Sequence, residues 1–108
     1  MVTIKLEKME KIFQEVVKIV SGRTGIERDD LLCSKKQEHV DARSILINLL
    51  SDLGFTDSLT ARYLNMTRQG VNKLKNTLHD RKRHSFILST CYQQCRNELA
   101  TSNLDSNG

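Results

Sequence analysis

The stretch from Gln37 to Leu53 constrains the fold more than any other part of the chain. Val40, Ala42, Ile45, Leu46, Leu49, Leu50 and Leu53 recur there at helical spacing. Their stripe is too wide for one neighbour to cover, so this helix is expected at the centre of a bundle. Gly54 is its expected C-terminal stop, with Phe55 tucking back over the last turn.

The flanking segments supply what such a helix needs around it. Ile4, Met9, Ile12, Phe13, Val16, Val17, Ile19 and Val20 predict an amphipathic helix over 2–21, ended by the stretch Ser21 to Gly25. A short helix over roughly Glu27 to Cys33 carries Leu31 and Leu32, and Ser34, Lys35 and Lys36 form a loop. Asp57 or Thr56 caps a helix over about 57–64. Thr67 caps the next, which runs to about Leu78. The polar run from His79 to His84 either extends that helix or breaks it. Ser85 caps a last helix over about 86–100, apolar at Phe86, Ile87, Cys91, Tyr92, Cys95 and Leu99. The expectation is an all-α fold of five or six helices, with one domain over 1–100 and a disordered tail over 101–108. The chain has 108 residues, no proline and no tryptophan. Its core must therefore be built from Leu, Ile and Val.

Residues 60–76 carry the functional signal and read as a helix-turn-helix spanning about 57–78. Ala61 is small, where two crossing helices must approach each other. Asn65 follows four residues later, where the turn needs a residue that tolerates a left-handed backbone. Leu64 and Met66 flank the turn, and Val71 and Leu74 face back toward the first helix. Thr67, Arg68, Gln69, Asn72, Lys73 and Asn76 are polar and point away from it. A second helix presented this way fits the DNA major groove, and Arg, Gln and Asn can make bidentate contacts with guanine and adenine edges. Thr67, Arg68, Gln69, Asn72 and Lys73 are assigned to base reading. Arg62 and Asn76 are assigned to phosphates. The rival reading makes Arg68 and Gln69 a solvated first turn.

Charge is distributed in the same direction. Residues 1–33 hold six basic and six acidic residues. Residues 34–83 hold ten basic against five acidic, a net charge of +5. The excess surrounds the expected reading helix, as phosphate neutralisation requires. Solubility alone also enriches surface helices in Lys and Arg, but it does not explain the neutral first third. Arg81, Lys82 and Arg83 either grip phosphate or form a solvated hinge. Gly70 is read as packing tightly on Ala61, and Tyr63 as core or rim.

The run Asp30-Leu31-Leu32-Cys33-Ser34-Lys35-Lys36, continuing through Ala42-Arg43 to Leu50, resembles the C-terminal DNA-binding domain of the bacterial replication initiator DnaA. That domain belongs to a Trp-repressor-like helical superfamily, and the resemblance covers about residues 12–78. It implies that Lys35 and Lys36 lie in a basic loop and that Arg43 opens the long helix beside the DNA backbone. The family's basic loop is richer in Arg and Lys, whereas Gln37, Glu38 and His39 intervene here. Its reading helix opens Arg-Asp-His-Thr-Thr, against Met66-Thr67-Arg68-Gln69-Gly70 in this chain.

Other functions find little support. There is no nucleophile elbow, phosphate loop or paired-carboxylate motif, so the chain is not expected to be an enzyme or to carry a cofactor. The three cysteines form no Cys-x-x-Cys pair. Cys91 and Cys95 share a helix face near His79 and His84, but the spacing matches no usual zinc pattern, so reduced thiols are expected. No apolar run is long enough for a membrane span and no signal peptide is evident, which predicts a cytoplasmic, nucleoid-associated protein. The expected function is sequence-specific binding of double-stranded DNA, as a small transcriptional regulator or replication-accessory protein. The alternative is a protein-interaction adaptor that kept the scaffold and lost the DNA surface. A weak homodimer through the last helix, by way of Phe86, Ile87, Tyr92 and Leu99, would enlarge a footprint of only a few base pairs.

Overall fold

Six helices form around one of their number. The structure is a computed structural model that describes residues 2–84 and 86–101, and the side chains of 8–78, of Asp80 and of 86–101. The helices are α1 (Val2–Thr24), α2 (Arg28–Cys33), α3 (Gln37–Asp52), α4 (Asp57–Leu64), α5 (Arg68–His84) and α6 (Phe86–Thr101). Every other helix packs against α3. All nine residues from Ala42 to Leu50 are buried, as the width of its apolar stripe requires. The core joins these to Phe13, Val16, Val17 and Val20 of α1, Leu31 of α2, Ala61 and Leu64 of α4, and Val71 and Leu78 of α5. Removing one such buried Leu costs about 2–5 kcal/mol.

Local chemistry sets the boundaries. α3 stops at Gly54, whose φ of 98° only glycine adopts without strain. The Phe55 N–H then donates to the Leu50 carbonyl at 3.0 Å, which folds the Phe55 ring into the core. α1 runs past Gly22 to Thr24 and ends where Gly25 turns left-handed at φ 73°. Thr56, not Asp57, caps α4: its Oγ1 accepts the Leu59 N–H at 3.1 Å. α5 continues through the polar run to His84. The expected cap at Ser85 and the tail residues 102–108 lie outside the described residues.

α6 packs one side on α1, α3 and α5. Tyr92, Cys95 and Leu99 are buried. The Tyr92 hydroxyl donates to Asp52 Oδ2 at 2.8 Å, and Arg23 pairs with Glu98 at 2.7 Å. Of the four residues expected at a dimer interface, Phe86 and Ile87 alone stay exposed, at 84% and 81%.

Candidate nucleic-acid interface

The corner between α4 and α5 is closed by three residues. Asn65 takes φ 54°, ψ 46°, the left-handed conformation that Asn tolerates better than most non-glycine residues. That turn points two N–H groups back at the end of α4. Asn65 donates to the Arg62 carbonyl at 3.4 Å, and Met66 to the Ala61 carbonyl at 2.9 Å. Thr67 then starts α5, its Oγ1 accepting the Gly70 N–H at 2.9 Å. Ala61, Leu64 and Val71 are buried on the inner side of the corner, and the Tyr63 ring stacks on Phe13 with centroids 4.6 Å apart. A Cβ on Gly70 would meet the helix's own cap, Thr67 Oγ1, at 3.1 Å and Met66 Cε at 3.4 Å.

Thr67, Arg68, Gln69, Asn72, Lys73 and Asn76 are all exposed on the outer side of α5. Arg68, Gln69, Asn72 and Lys73 line one groove of about 600 Å³ with Thr56, Asp57 and Ser58 from the start of α4. Asp57 is the residue whose role the sequence did not reveal. Its Oδ1 pairs with Lys75 Nζ at 2.8 Å, and its Oδ2 accepts from Asn72 Nδ2 at 3.2 Å. Those two hydrogen bonds hold its carboxyl below the usual range, with the nearby charges of Lys75 and Arg68 adding to the effect. The Asn72 carbonyl oxygen in turn accepts from Asn76 Nδ2 at 3.2 Å. Asn72 thus spends one of its two amide donors and one of its two carbonyl lone pairs inside the protein. Arg68, Gln69 and Lys73 carry no such tie among the hydrogen bonds and ion pairs described here.

Asn48 ties this helix to the core. It is buried on α3, where its Nδ2 donates to the Ser44 carbonyl at 2.8 Å and to the Lys75 carbonyl of α5 at 3.3 Å. A lone Asn in an apolar stripe is the signal that would have marked it, since a buried amide needs partners.

The α2–α3 junction overturns the assignment of Arg43 to the DNA backbone. Arg43 is 7% exposed. Its Nε donates to the Leu31 carbonyl at 2.8 Å, and its Nη2 to those of Ser34 at 2.6 Å and Asp30 at 3.3 Å. The Asp30 carbonyl also accepts the Ser34 N–H at 3.0 Å, so Arg43 is the donor that matters for the carbonyls of Leu31 and Ser34 at the end of α2. Burial pushes the Arg43 pKa down, with the Cys33 thiol acting in the opposite sense. Lys35 and Lys36 are exposed in the loop, which Ser34 shapes by accepting the Lys36 N–H at 3.1 Å. Lys36 stands roughly 18 Å along α3 from Asn48, which hydrogen-bonds to the Lys75 carbonyl of α5. Arg62 is exposed on α4, and neither it nor the two lysines line the groove. The side chains of Arg81, Lys82 and Arg83 lie outside the described residues.

Among the described residues no group of three or more His, Cys, Asp or Glu side chains could hold a metal, and no helix is long and apolar enough to cross a membrane. No protein-family model, curated protein or solved structure matches the chain. The resemblance to the initiator domain therefore rests on the residues that suggested it.

Proposed function

We propose that the chain binds double-stranded DNA sequence-specifically, with α4 and α5 acting as a helix-turn-helix and α5 entering the major groove. One observation carries this reading. The outer side of α5 presents Arg68, Gln69 and Lys73 untied and exposed, next to a corner whose turn satisfies its own backbone. Arg and Gln match guanine and adenine edges, and Lys73 suits either a guanine or a phosphate. Lys35, Lys36 and Arg62 are further exposed cations for the duplex backbone. A small transcriptional regulator or a replication-accessory protein fits such a module.

Selection of duplexes from a random pool tests it. The full chain should enrich one short motif. Arg68→Ala or Gln69→Ala should flatten the preference at one position by about 1–3 kcal/mol. Lys35→Ala should weaken all sequences alike. A pool that stays random, or an Arg68→Ala loss equal on every sequence, would overturn the assignment.

A second reading, a protein-interaction adaptor, draws on one feature. Asp57 places a carboxylate in the same groove, where it favours a mixed-charge partner over a polyanion. Its mark would be the absence of DNA binding at low salt.

A further inference from the structure

We propose that Asp57 and Asn76 are positioning residues that fix the Asn72 amide to read adenine, so that Asn76 serves a base reader rather than a phosphate. The inference rests on the reading of α5 as the helix that enters the major groove. Asn72 lies one turn after Arg68 on the exposed side of α5, in the part of a reading helix that reaches base edges.

The donor and acceptor ends of an amide have almost the same shape, so its partners decide which end faces where. Lys75 Nζ holds Asp57 by its Oδ1 at 2.8 Å. An ionised carboxylate can only accept. Asp57 Oδ2 therefore takes the Nδ2 end of Asn72, at 3.2 Å. Turned over, Asn72 would set its own carbonyl oxygen against the carboxylate. Asn76, one turn further along α5, donates its Nδ2 to Asn72 Oδ1 at 3.2 Å. The contact across the corner and the contact along the helix thus favour the same orientation.

Asn72 has one N–H and one carbonyl lone pair left over. Adenine offers N7 as acceptor and N6 as donor, which uses both. Guanine offers two acceptors, N7 and O6, and would set O6 against the Asn72 oxygen. Cytosine and thymine match one end only. A free Asn on a helix has two common χ1 wells and two amide orientations, about four states. Holding one of them raises the competent fraction about fourfold. Gln69 lines the same groove without such a tie and is the internal comparison.

Selection from a random duplex pool, followed by sequencing, reads this position by position. The motif of the full chain should hold one adenine whose preference Asn72→Ala lowers about tenfold. Asp57→Ala and Asn76→Ala should each lower the preference at that same position about twofold, and together about fourfold. Neither should alter the position that Gln69→Ala flattens. In an Asn72→Ala background neither should change the adenine position at all. Asp57→Ala also removes a negative charge and frees Lys75, so overall binding should tighten while that one preference falls. A merely weakened fold would lower binding to every sequence instead. A pool that stays random would overturn the reading of α5 and this inference with it. A motif with no adenine that depends on Asn72, or an adenine preference kept by Asp57→Ala with Asn76→Ala, would overturn this inference alone. Asn76→Ala weakening every sequence alike would return Asn76 to a phosphate and overturn its positioning role.

Discussion

Two helix ends in this molecule solve the same problem in opposite ways. α2 ends on Ser34 in an extended conformation, with φ −69° and ψ 148°. The chain moves straight on, and most of the last carbonyls lack N–H partners of their own. Arg43 reaches back from α3 and supplies the donors. α4 ends on Asn65 in the left-handed conformation, and the turn itself returns two N–H groups to Arg62 and Ala61. No arginine is needed there, and Arg68 stays outside. Of two arginines in the basic middle of the chain, one became a structural cap because its helix lacked a left-handed residue. Net charge over a segment therefore overstates the cations that a polyanion can reach.

The largest expected effect is at the first end. Arg43→Ala leaves the Leu31 and Ser34 carbonyls without their donor and should cost about 3 kcal/mol in urea unfolding. Arg43→Lys should recover little, since one ammonium cannot span three acceptors that a planar fork reaches. Arg68→Ala should change stability by no more than about 0.5 kcal/mol. Equal effects at the two arginines would break the comparison.

At the second end, Asn65→Val forces a β-branched residue into the left-handed region and should cost about 2 kcal/mol. Asn65→Gly should be close to neutral in the native turn. A well-tolerated Val would mean that the turn can close some other way.

The architecture was largely readable because it rests on local rules. The central position of α3 followed from the width of its stripe, and Gly54, Asn65 and Thr67 announced the turns by their backbone and capping chemistry. What stayed hidden was pairing between residues distant in sequence. Nothing near Arg43 says that the carbonyls of residues 30, 31 and 34 face it. Asp57 looked like a cap because Thr56 and Asp57 are both good ones, and its partners Asn72 and Lys75 lie across a turn. The burial of α6 was hidden for a related reason. Tyr92 and Leu99 are as apolar as an interface requires, and only the packing against α1 shows that the monomer already buries them.

The Asp57 tie gives the smallest effect and a pH signature. Its folded carboxyl titrates below the ordinary value of about 4. Its contribution to stability is therefore complete above that value and lost as pH falls through the lowered one. Asp57→Ala should cost less than about 1 kcal/mol at neutral pH, as expected for a partly exposed pair. The difference from the parent chain should shrink in acid. A difference independent of pH would show that the carboxylate contributes packing rather than charge.

The salt dependence of duplex binding tests the central claim most directly. With Arg43 internal and Lys75 paired to Asp57, the exposed cations near the corner and the loop among the described residues are Lys35, Lys36, Arg62, Arg68 and Lys73. If Lys35, Lys36 and Arg62, with or without Lys73, meet phosphates, log K on a selected duplex should fall with log salt at a slope of about −3. A slope near zero, or no binding at low salt, would contradict the account.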